Sequence, residues 1–274
     1  MTERPISLVL VGAGKMGAAL LGGWLGRGID ATTIITIIDP APSEEVHMAA
    51  RYKGVRLNPA MADIAAPAVL FLAIKPQTLD EAAPQIAPLV GPQTLVLSIL
   101  AGKTTANLRA RLPAANGIVR AMPNTPAAIR RGITAAYATP GVTPEQRATA
   151  DELLSAVGRV EWLDDERHLD AVTAVSGSGP AYVFLLAECL AEAGAAAGLP
   201  PDLAARLARA TVEGSGELMH RSPETAVAKL REEVTSPGGT TAAALTILMG
   251  ESGLKKLMEA AVEAAKRRAA ELSG

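Results

Sequence analysis

Aromatic residues are scarce in this chain of 274 residues, and neither sign of charge dominates. Phe, Trp and Tyr make up 3% of the sequence, and 26 Lys and Arg residues nearly balance 28 Asp and Glu residues, for a formal net charge of −2. A protein that binds nucleic acid usually carries a basic patch or aromatic side chains on which bases stack. We therefore expect no nucleic acid among the partners of this protein.

Cysteine occurs once, at Cys189, so a single chain can form neither a disulfide nor a thiolate metal cluster. We expect Cys189 to be buried, because it lies in an apolar run, and we expect no bound metal. No apolar run approaches the ~18 to 20 residues that a membrane helix requires. The hydrophobic content of 49% is sufficient for a packed core, and we expect a cytoplasmic protein with no membrane partner.

As far as residue 163, short β-branched or apolar runs alternate with helical patterns. Five runs are predicted to be strands in addition to the first run, 6–11: residues 34–38, 68–74, 94–99, 117–121 and 133–137. Helices are predicted between them, at 16–27, 43–52, 77–87 and 104–111. Because parallel strands need crossover helices, the alternation predicts an α/β domain with a mostly parallel sheet over residues 1–163.

Ala, Leu and Glu dominate after residue 163, which predicts an all-α domain over residues 164–274. Between residues 181 and 197 the only charged side chains are those of Glu188 and Glu192. Such a helix is apolar around most of its circumference, and a domain of this size could hardly bury it alone. A subunit interface is the simplest place for it.

Gly12, Gly14 and Gly17 form a G-x-G-x-x-G turn after the first strand, where backbone N–H groups can bind the pyrophosphate of a dinucleotide. An ordinary tight turn is the alternative for the motif alone. Asp39 supports the dinucleotide interpretation over an ordinary turn. It lies at the end of the next strand, where a carboxylate can accept hydrogen bonds from the ribose hydroxyls. Its charge would repel a 2′-phosphate, so we predict that NADH is favoured over NADPH.

Two later loops follow strands of the predicted sheet, and ligands gather at such positions in open α/β folds. We expect both loops to flank the cofactor, although simple strand-ending turns, and a solvated lysine at position 75, are the alternatives. Taken with the first turn and Asp39, they complete the predicted cofactor-binding set: Gly12, Gly14, Lys15, Met16, Gly17, Asp39, Ala73, Lys75, Pro76, Met122, Pro123, Asn124 and Thr125.

A second glycine-rich turn, V-T-S-P-G-G-T-T at residues 234–241, precedes a predicted helix in the second half. Paired glycines followed by hydroxyl residues can aim several N–H groups at one small anion, and a carboxylate fits such a nest. Ser236 and Thr240 are interpreted as carboxylate contacts or caps, and pure helix capping is the alternative role for Ser236.

Five segments together resemble the pyrroline-5-carboxylate reductase family, which makes proline by reducing a cyclic imine. They are GAGKMG at 12–17, AIKPQ at 73–77, RAMPNTPA at 120–127, AVTAVSGSGPAYVF at 171–184 and VTSPGGTT at 234–241. The likeness extends over essentially the whole chain. It implies an N-terminal Rossmann-type doubly wound domain and a C-terminal helical domain that interlocks with a second subunit, in assemblies that are commonly decamers built from dimers.

The resemblance also implies NAD(P)H as cofactor and 1-pyrroline-5-carboxylate as substrate, with the substrate carboxylate in the second glycine turn and the nicotinamide near KPQ and MPNTP. Asp39 departs from the pattern, since many relatives that prefer NADPH carry a small hydroxyl or amide residue there. The expected substrate-binding residues are Ser176, Gly177, Pro180, Ser236, Gly238, Gly239, Thr240 and Thr241.

Thr241 is the candidate catalytic residue, because the resemblance suggests that its hydroxyl and the ring nitrogen are hydrogen-bonded. The three histidines, His47, His168 and His220, lie beside neither glycine turn. A protonated imine already attracts a hydride, so positioning is expected to supply most of the catalysis.

Two rival functions fit less of the sequence. A β-hydroxyacid dehydrogenase shares the first turn and an all-helical second half, but needs a lysine one turn into its long helix, where residues 181–186 read AYVFLL. A non-catalytic dinucleotide sensor would have no use for the second glycine turn.

Overall fold

The computed structural model describes residues 6–29 and 33–273, except for the side chain of residue 273. Contacts divide the chain into two compact units. The first unit is Met1–Gly177 with Ala265–Gly274, and the second is Ser178–Ala264. The predicted division into residues 1–163 and 164–274 stays a prediction.

A mostly parallel sheet forms the centre of the first unit. Its strands in the described residues are β1 (Ile6–Val11), β2 (Thr33–Ile38), β3 (Arg56–Leu57), β4 (Val69–Leu72), β5 (Leu95–Ser98), β6 (Gly117–Met122), β7 (Gly132–Ala138) and β8 (Gly158–Leu163). Their spatial order is β3-β2-β1-β4-β5-β6-β7-β8. The predicted α/β class with an N-terminal Rossmann-type sheet is therefore confirmed.

One pair of neighbouring strands, β6 and β7, is antiparallel. The connection between them, residues 123–131, is too short for the crossover that a parallel pair requires. Two further strands, β3 and β8, were not among the predicted ones. Each pairs in parallel with a longer neighbour, β3 with β2 and β8 with β7.

Helices cover both faces of this sheet, as the doubly wound arrangement requires. They are α1 (Lys15–Gly26), α2 (Glu44–Tyr52), α3 (Leu79–Ile86), α4 (Thr105–Arg111), α5 (Pro144–Ser155) and α6 (His168–Val172). Hydroxyl side chains cap three of them, since Ser43, Thr104 and Thr143 accept N–H groups of α2, α4 and α5. Helix α5 was missing from the prediction.

Successive residues of a strand face opposite sides of the sheet, and this alternation builds two cores. Leu8 and Leu10 of β1 pack with Trp24 and Phe71 on one side. Val9 and Val11 pack with other apolar side chains on the opposite side. The indole N–H of Trp24 donates to the carbonyl of Leu153 at 2.8 Å, which satisfies the one polar atom of that buried ring.

The second half of the chain is helical, as predicted. After a π-helical turn at Thr173–Gly177, the helices are α7 (Gly179–Ala196), α8 (Pro201–Arg221), α9 (Val227–Glu233), α10 (Thr240–Leu248) and α11 (Leu254–Ser273).

The second unit buries very little of itself. Among residues 178–264, the hydrophobic side chains that are buried are those of Ala204 and Ala208. Helix α7 has no buried residue, and its Phe184 is 64% exposed. The expectation that Cys189 is buried is wrong for the single chain, where Cys189 is exposed, because the chain provides too few helices to cover α7.

In the described residues, one helical stretch of membrane length is apolar on average, although polar and charged residues interrupt it. The helical stretch His168–Ala196 is long and apolar enough to cross a membrane. Length and composition alone support this, and an interface helix of a soluble assembly passes the same test. The expectation that no uninterrupted apolar run reaches membrane length is compatible with this, because residues such as Asp170, Ser176 and Glu188 interrupt the stretch.

Candidate active site

The carboxyl ends of β1, β2 and β4 meet where the strand order reverses direction, and open α/β sheets bind ligands at such a point. The N–H of Gly12 donates to the carbonyl of Ile38 at the end of β2, at 2.8 Å. The N–H of Ala73 donates to the carbonyl of Val11 at the end of β1, also at 2.8 Å. These bonds tie the first glycine turn to the ends of both neighbouring strands.

Each glycine of the first turn serves a different purpose. Gly12 has φ +91°, and a Cβ there would lie 2.7 Å from the backbone nitrogen of Ile74. A Cβ on Gly17 would collide with the carbonyl oxygen of Gly12. Gly14 differs, because a Cβ there would meet no atom of the described chain within 4 Å. The open space over Gly14 is where a ligand can approach the backbone.

Gly14 is also the N-cap residue of α1, and it has no side chain with which to cap the helix. The first-turn N–H groups of Lys15, Met16 and Gly17 therefore face the space over the turn without a side-chain acceptor from the cap. No acidic residue occupies this first turn. The combination fits a pyrophosphate, which accepts these hydrogen bonds and interacts favourably with the positive end of the helix dipole.

Asp39 is held against this turn. Its side chain is buried, and its Oδ2 accepts the N–H of Ala13 at 2.5 Å while its Oδ1 accepts the N–H of Ala41 at 2.7 Å. A carboxylate has about four lone-pair sites, so each oxygen can still accept a ribose hydroxyl. The structure thus brings Asp39 and the glycine turn together, as the dinucleotide hypothesis requires.

The KPQ loop follows β4. The carbonyl of Lys75 accepts both the N–H and the hydroxyl of Thr78, at 3.0 and 2.9 Å, and these bonds close a short 3₁₀ turn at Pro76–Thr78. Lys75 itself is exposed. The loop is an ordered strand-ending turn, and its ends lie at the same end of the sheet as Gly12 and Ala73.

The MPNTP loop follows β6, where Met122 ends the strand and Pro123 leads into Asn124 and Thr125. Asn124 is buried, and its Oδ1 accepts the N–H of Ile133 at 2.9 Å. Its oxygen fixes the loop, and its Nδ2 is the group that has protons to donate to a ligand.

A buried ion-pair network anchors the same loop. Arg120 lies in β6 with 5% exposure, and its guanidinium donates to Glu166 at 3.2 Å. Glu166 also accepts the N–H and the hydroxyl of Thr105, at 2.8 and 2.6 Å. Asp170 lies 3.8 Å from Arg120. The network joins β6, the start of α4 and residues 166–170. Its β6 member, Arg120, lies two residues before Met122.

Asp165, beside this network, has a different environment. The guanidinium of Arg167, and next its backbone N–H, hold the pKa of Asp165 at about 2. The carboxylate therefore stays ionised at neutral pH, and Asp165 is not a proton donor there.

Ser176 and Gly177 lie in the π-helical turn of the first unit. The hydroxyl of Ser176 donates to the carbonyl of Val172 at 3.3 Å. A Cβ on Gly177 would lie 2.7 Å from the Cε of Met122. This close approach places a predicted substrate residue against a predicted cofactor residue.

The second glycine turn begins α10 in the second unit, which also contains Pro180. Gly238 has φ +69°, and the N–H of Gly239 donates to the carbonyl of Ser236 at 3.0 Å. Gly239 is the N-cap residue, so the alternative of pure helix capping by Ser236 is not observed. The first-turn N–H groups of Thr240 and Thr241 are available to an anion, as they are at α1.

Comparison with known proteins identifies the family. A family model described as pyrroline-5-carboxylate reductase dimerisation matches residues 166–272, and one described as NADP oxidoreductase coenzyme F420-dependent matches residues 7–102. A pyrroline-5-carboxylate reductase of Pseudomonas aeruginosa is 41% identical over 97% of this chain and 96% of its own. The chain belongs to the pyrroline-5-carboxylate reductase family.

Solved structures of this family have the same fold. A pyrroline-5-carboxylate reductase from Coxiella burnetii has a TM-score of 0.88 at 32% identity, covering 98% of this chain and 99% of its own. A pyrroline carboxylate reductase from Plasmodium falciparum, solved with NADP bound, has a TM-score of 0.80 at 27% identity, covering 99% of each chain.

Among the residues expected of a pyrroline-5-carboxylate reductase, the first unit contains the first glycine turn, Asp39, the KPQ and MPNTP loops, Ser176 and Gly177. Hydrogen bonds join the first turn to Asp39 and the end of β1 to Ala73, and Gly177 approaches Met122. Pro180 and residues 236–241 lie in the second unit.

The set of site residues predicted from the sequence missed two anchoring side chains. The first is Arg120, a charged residue inside an apolar strand. Its position was a recognisable signal, since a buried charge needs a partner. Asn58, the other, bonds to the backbone of Asp39.

We expect Gly14→Ala to raise KM for NAD(P)H by about tenfold or more, because the methyl group would stand where the ligand approaches the backbone. Folding should be unaffected, because Gly14 has φ −64°, which alanine adopts freely. Steady-state kinetics and thermal melting provide the measurements. Gly22→Ala, farther along the same helix, is the control and should leave KM unchanged. An unaltered KM for Gly14→Ala would show that this turn does not hold the cofactor.

Proposed function

We propose that this protein is a pyrroline-5-carboxylate reductase, which reduces the C=N bond of 1-pyrroline-5-carboxylate to form L-proline, the last step of proline biosynthesis. The observation that carries the proposal is 41% identity to a reductase of that name over nearly the full length of both chains. NAD(P)H supplies the hydride and leaves as NAD(P)⁺. The residues described below would hold the two molecules for this reaction.

The residues around the first turn would bind the cofactor. The N–H groups of Lys15, Met16 and Gly17 would bind the pyrophosphate, where the open approach at Gly14 and the uncapped start of α1 support this role. Asp39 would contact the ribose. The remaining predicted residues would lie near the nicotinamide: Ala73, Lys75, Pro76, Met122, Pro123, Asn124 and Thr125.

Cofactor choice would depend on Asp39. Two backbone hydrogen bonds hold its carboxylate beside the turn, so the charge cannot easily move away from an incoming group. A 2′-phosphate would meet this charge at short range, whereas a 2′-hydroxyl would donate to it. NADH is accordingly the favoured cofactor in this proposal.

The direct test is the reduction of 1-pyrroline-5-carboxylate with each cofactor, followed through the loss of reduced-nicotinamide absorbance. We expect kcat/KM to be higher with NADH, and Asp39→Ser to shift the NADH-to-NADPH ratio toward NADPH by about tenfold or more. Glu44→Gln, which removes a negative charge from the neighbouring helix, is the control for general charge effects. A wild-type preference for NADPH would contradict the role of Asp39, and no turnover with either cofactor would contradict the reaction itself.

The second turn would hold the substrate carboxylate. The N–H groups of Thr240 and Thr241 open α10, Gly239 precedes them as the N-cap residue, and the left-handed conformation of Gly238 turns the chain toward them. Ser236 would be a further carboxylate contact, and Ser176, Gly177 and Pro180 would form part of the wall of the pocket.

Thr241 would act on the reacting ring. In the protonated imine, the carbon beside the nitrogen is electron-poor, and it accepts the hydride. The hydroxyl oxygen of Thr241 would accept a hydrogen bond from the protonated ring nitrogen and hold the ring against the nicotinamide. Glycine-turn amides and one hydroxyl suffice for this chemistry, since the electrophile carries its own charge.

We expect Thr241→Ala to lower kcat by one or more powers of ten, on the scale of lost positioning or proton assistance. Thr246→Ala provides the matched control, because Thr246 lies in the same helix and its hydroxyl donates to the backbone carbonyl of Ala242, at 3.1 Å. Steady-state rates at saturating imine provide the measurement. If Thr241→Ala turned over like the control, Thr241 would have no part in the reaction.

The uncovered second unit supports a homo-oligomer. Helix α7 exposes Phe184 and Leu185 to the extent of 64% and 57%, and the family match over residues 166–272 is to a dimerisation region. A second copy of the chain would cover these side chains in an interlocked dimer, and such dimers would assemble further into a decamer. The proposal includes a cytoplasmic location, with a small-molecule substrate and neither nucleic acid nor membrane as partner.

A further inference from the structure

Asn58 holds the backbone of Asp39 from the neighbouring strand. Its Oδ1 accepts the N–H of Asp39 at 2.9 Å, and its Nδ2 donates to the carbonyl of Asp39 at 2.8 Å. The N–H of Asn58 itself donates to the carbonyl of Ile37 at 2.9 Å. The side-chain amide therefore extends the pairing of β2 with β3 by one residue beyond Ile38.

The conformation of Asn58 makes this pairing possible. Its φ is +46°, in the left-handed region that asparagine tolerates better than most residues. The main chain therefore turns away from the sheet directly after the two-residue strand β3, toward Pro59. The carboxamide points back and takes over the hydrogen bonds that a further strand residue would otherwise make.

The result is that every polar group of Asp39 has a hydrogen-bond partner. Asn58 binds its N–H and its carbonyl, and the N–H groups of Ala13 and Ala41 bind its two carboxylate oxygens. The first pair of bonds sets where the Cα of Asp39 lies, and the second pair sets the direction of the carboxylate. Without Asn58, only the carboxylate bonds and the strand before Asp39 would hold the residue.

We propose that Asn58 is a positioning residue that fixes Asp39 for recognition of the cofactor ribose, and so contributes to the choice between NADH and NADPH. The inference rests on the proposed role of Asp39. Asn58 acts through the backbone of Asp39, so its effect belongs to cofactor binding and leaves the chemical step alone.

The test is Asn58→Gly, because glycine adopts a positive φ without strain and only the two side-chain hydrogen bonds are lost. We expect KM for NADH to rise about three- to tenfold, the scale of one or two hydrogen bonds. The kcat at saturating NADH and the KM for the imine should stay within about twofold of wild type. The NADH-to-NADPH ratio of kcat/KM should fall.

The matched control is Asn116→Gly. Asn116 is also exposed, and its side chain donates to a backbone carbonyl, that of Pro92, at the opposite end of the sheet. A purely structural effect of losing an asparagine side chain would appear in both variants. Equal effects in the two variants, or a fall in kcat without a change in KM for NADH, would overturn the positioning role.

The double variant Asp39→Ser with Asn58→Gly separates this inference from the role of Asp39. If Asn58 acts through the carboxylate, Asn58→Gly should no longer change the cofactor ratio in the Asp39→Ser background, where that carboxylate is gone. The same change of ratio in both backgrounds would overturn the inference. If Asp39→Ser alone left the ratio unchanged, the proposed role of Asp39 would fail first, and the positioning role would fail with it.

Discussion

Helices α1 and α10 both have glycine at the N-cap, and the proposed chemistry depends on the backbone N–H groups that this leaves uncapped. Three other helices, α2, α4 and α5, satisfy such groups with the hydroxyl side chains of Ser43, Thr104 and Thr143. At Gly14 and Gly239 the cap residue has no side chain to offer, and a bound anion or water has to accept the bonds. One anion site suits a pyrophosphate and the other a carboxylate, so the reductant and the substrate use the same physical device.

The rest of the first unit supports one of these sites. The sheet orders the ends of β1, β2 and β4, Gly12 lets the turn approach Ala73, and Asp39 ties the turn to the end of β2. The Arg120–Glu166 pair extends the same support to the loop after β6. Because Arg120 is buried, removing Glu166 would leave its charge uncompensated, which costs more than the pair itself contributes. Rigid support suits an enzyme that works mainly by positioning.

Much of this could be predicted from local patterns. The alternation of strands and helices, the first glycine turn, Asp39 and the second glycine turn each occupy a short stretch with a recognisable physical reason. Contacts between distant residues could not be predicted in the same way. Asn58 is 19 residues from Asp39, and their contact depends on the register of two strands that no single stretch encodes.

Two other differences have a common cause. Cys189 and the apolar side chains around it were expected to find cover, yet the single chain leaves them exposed. An apolar sequence predicts that a helix surface is covered by other protein atoms, but it does not show whether the same chain or a second chain covers it. The membrane-like hydropathy of His168–Ala196 has the same ambiguity, and the family's dimerisation region favours a second subunit as the cover.

The most direct measurement is a crystal structure of the protein with NAD⁺ and L-proline bound together. Our account predicts the proline carboxylate on the N–H groups of residues 240 and 241 and its C5 facing C4 of the nicotinamide at about 3–3.5 Å. The pyrophosphate should lie over Gly14 in the same structure. A carboxylate held elsewhere, or residue 241 remote from the nicotinamide in the assembled particle, would contradict the account.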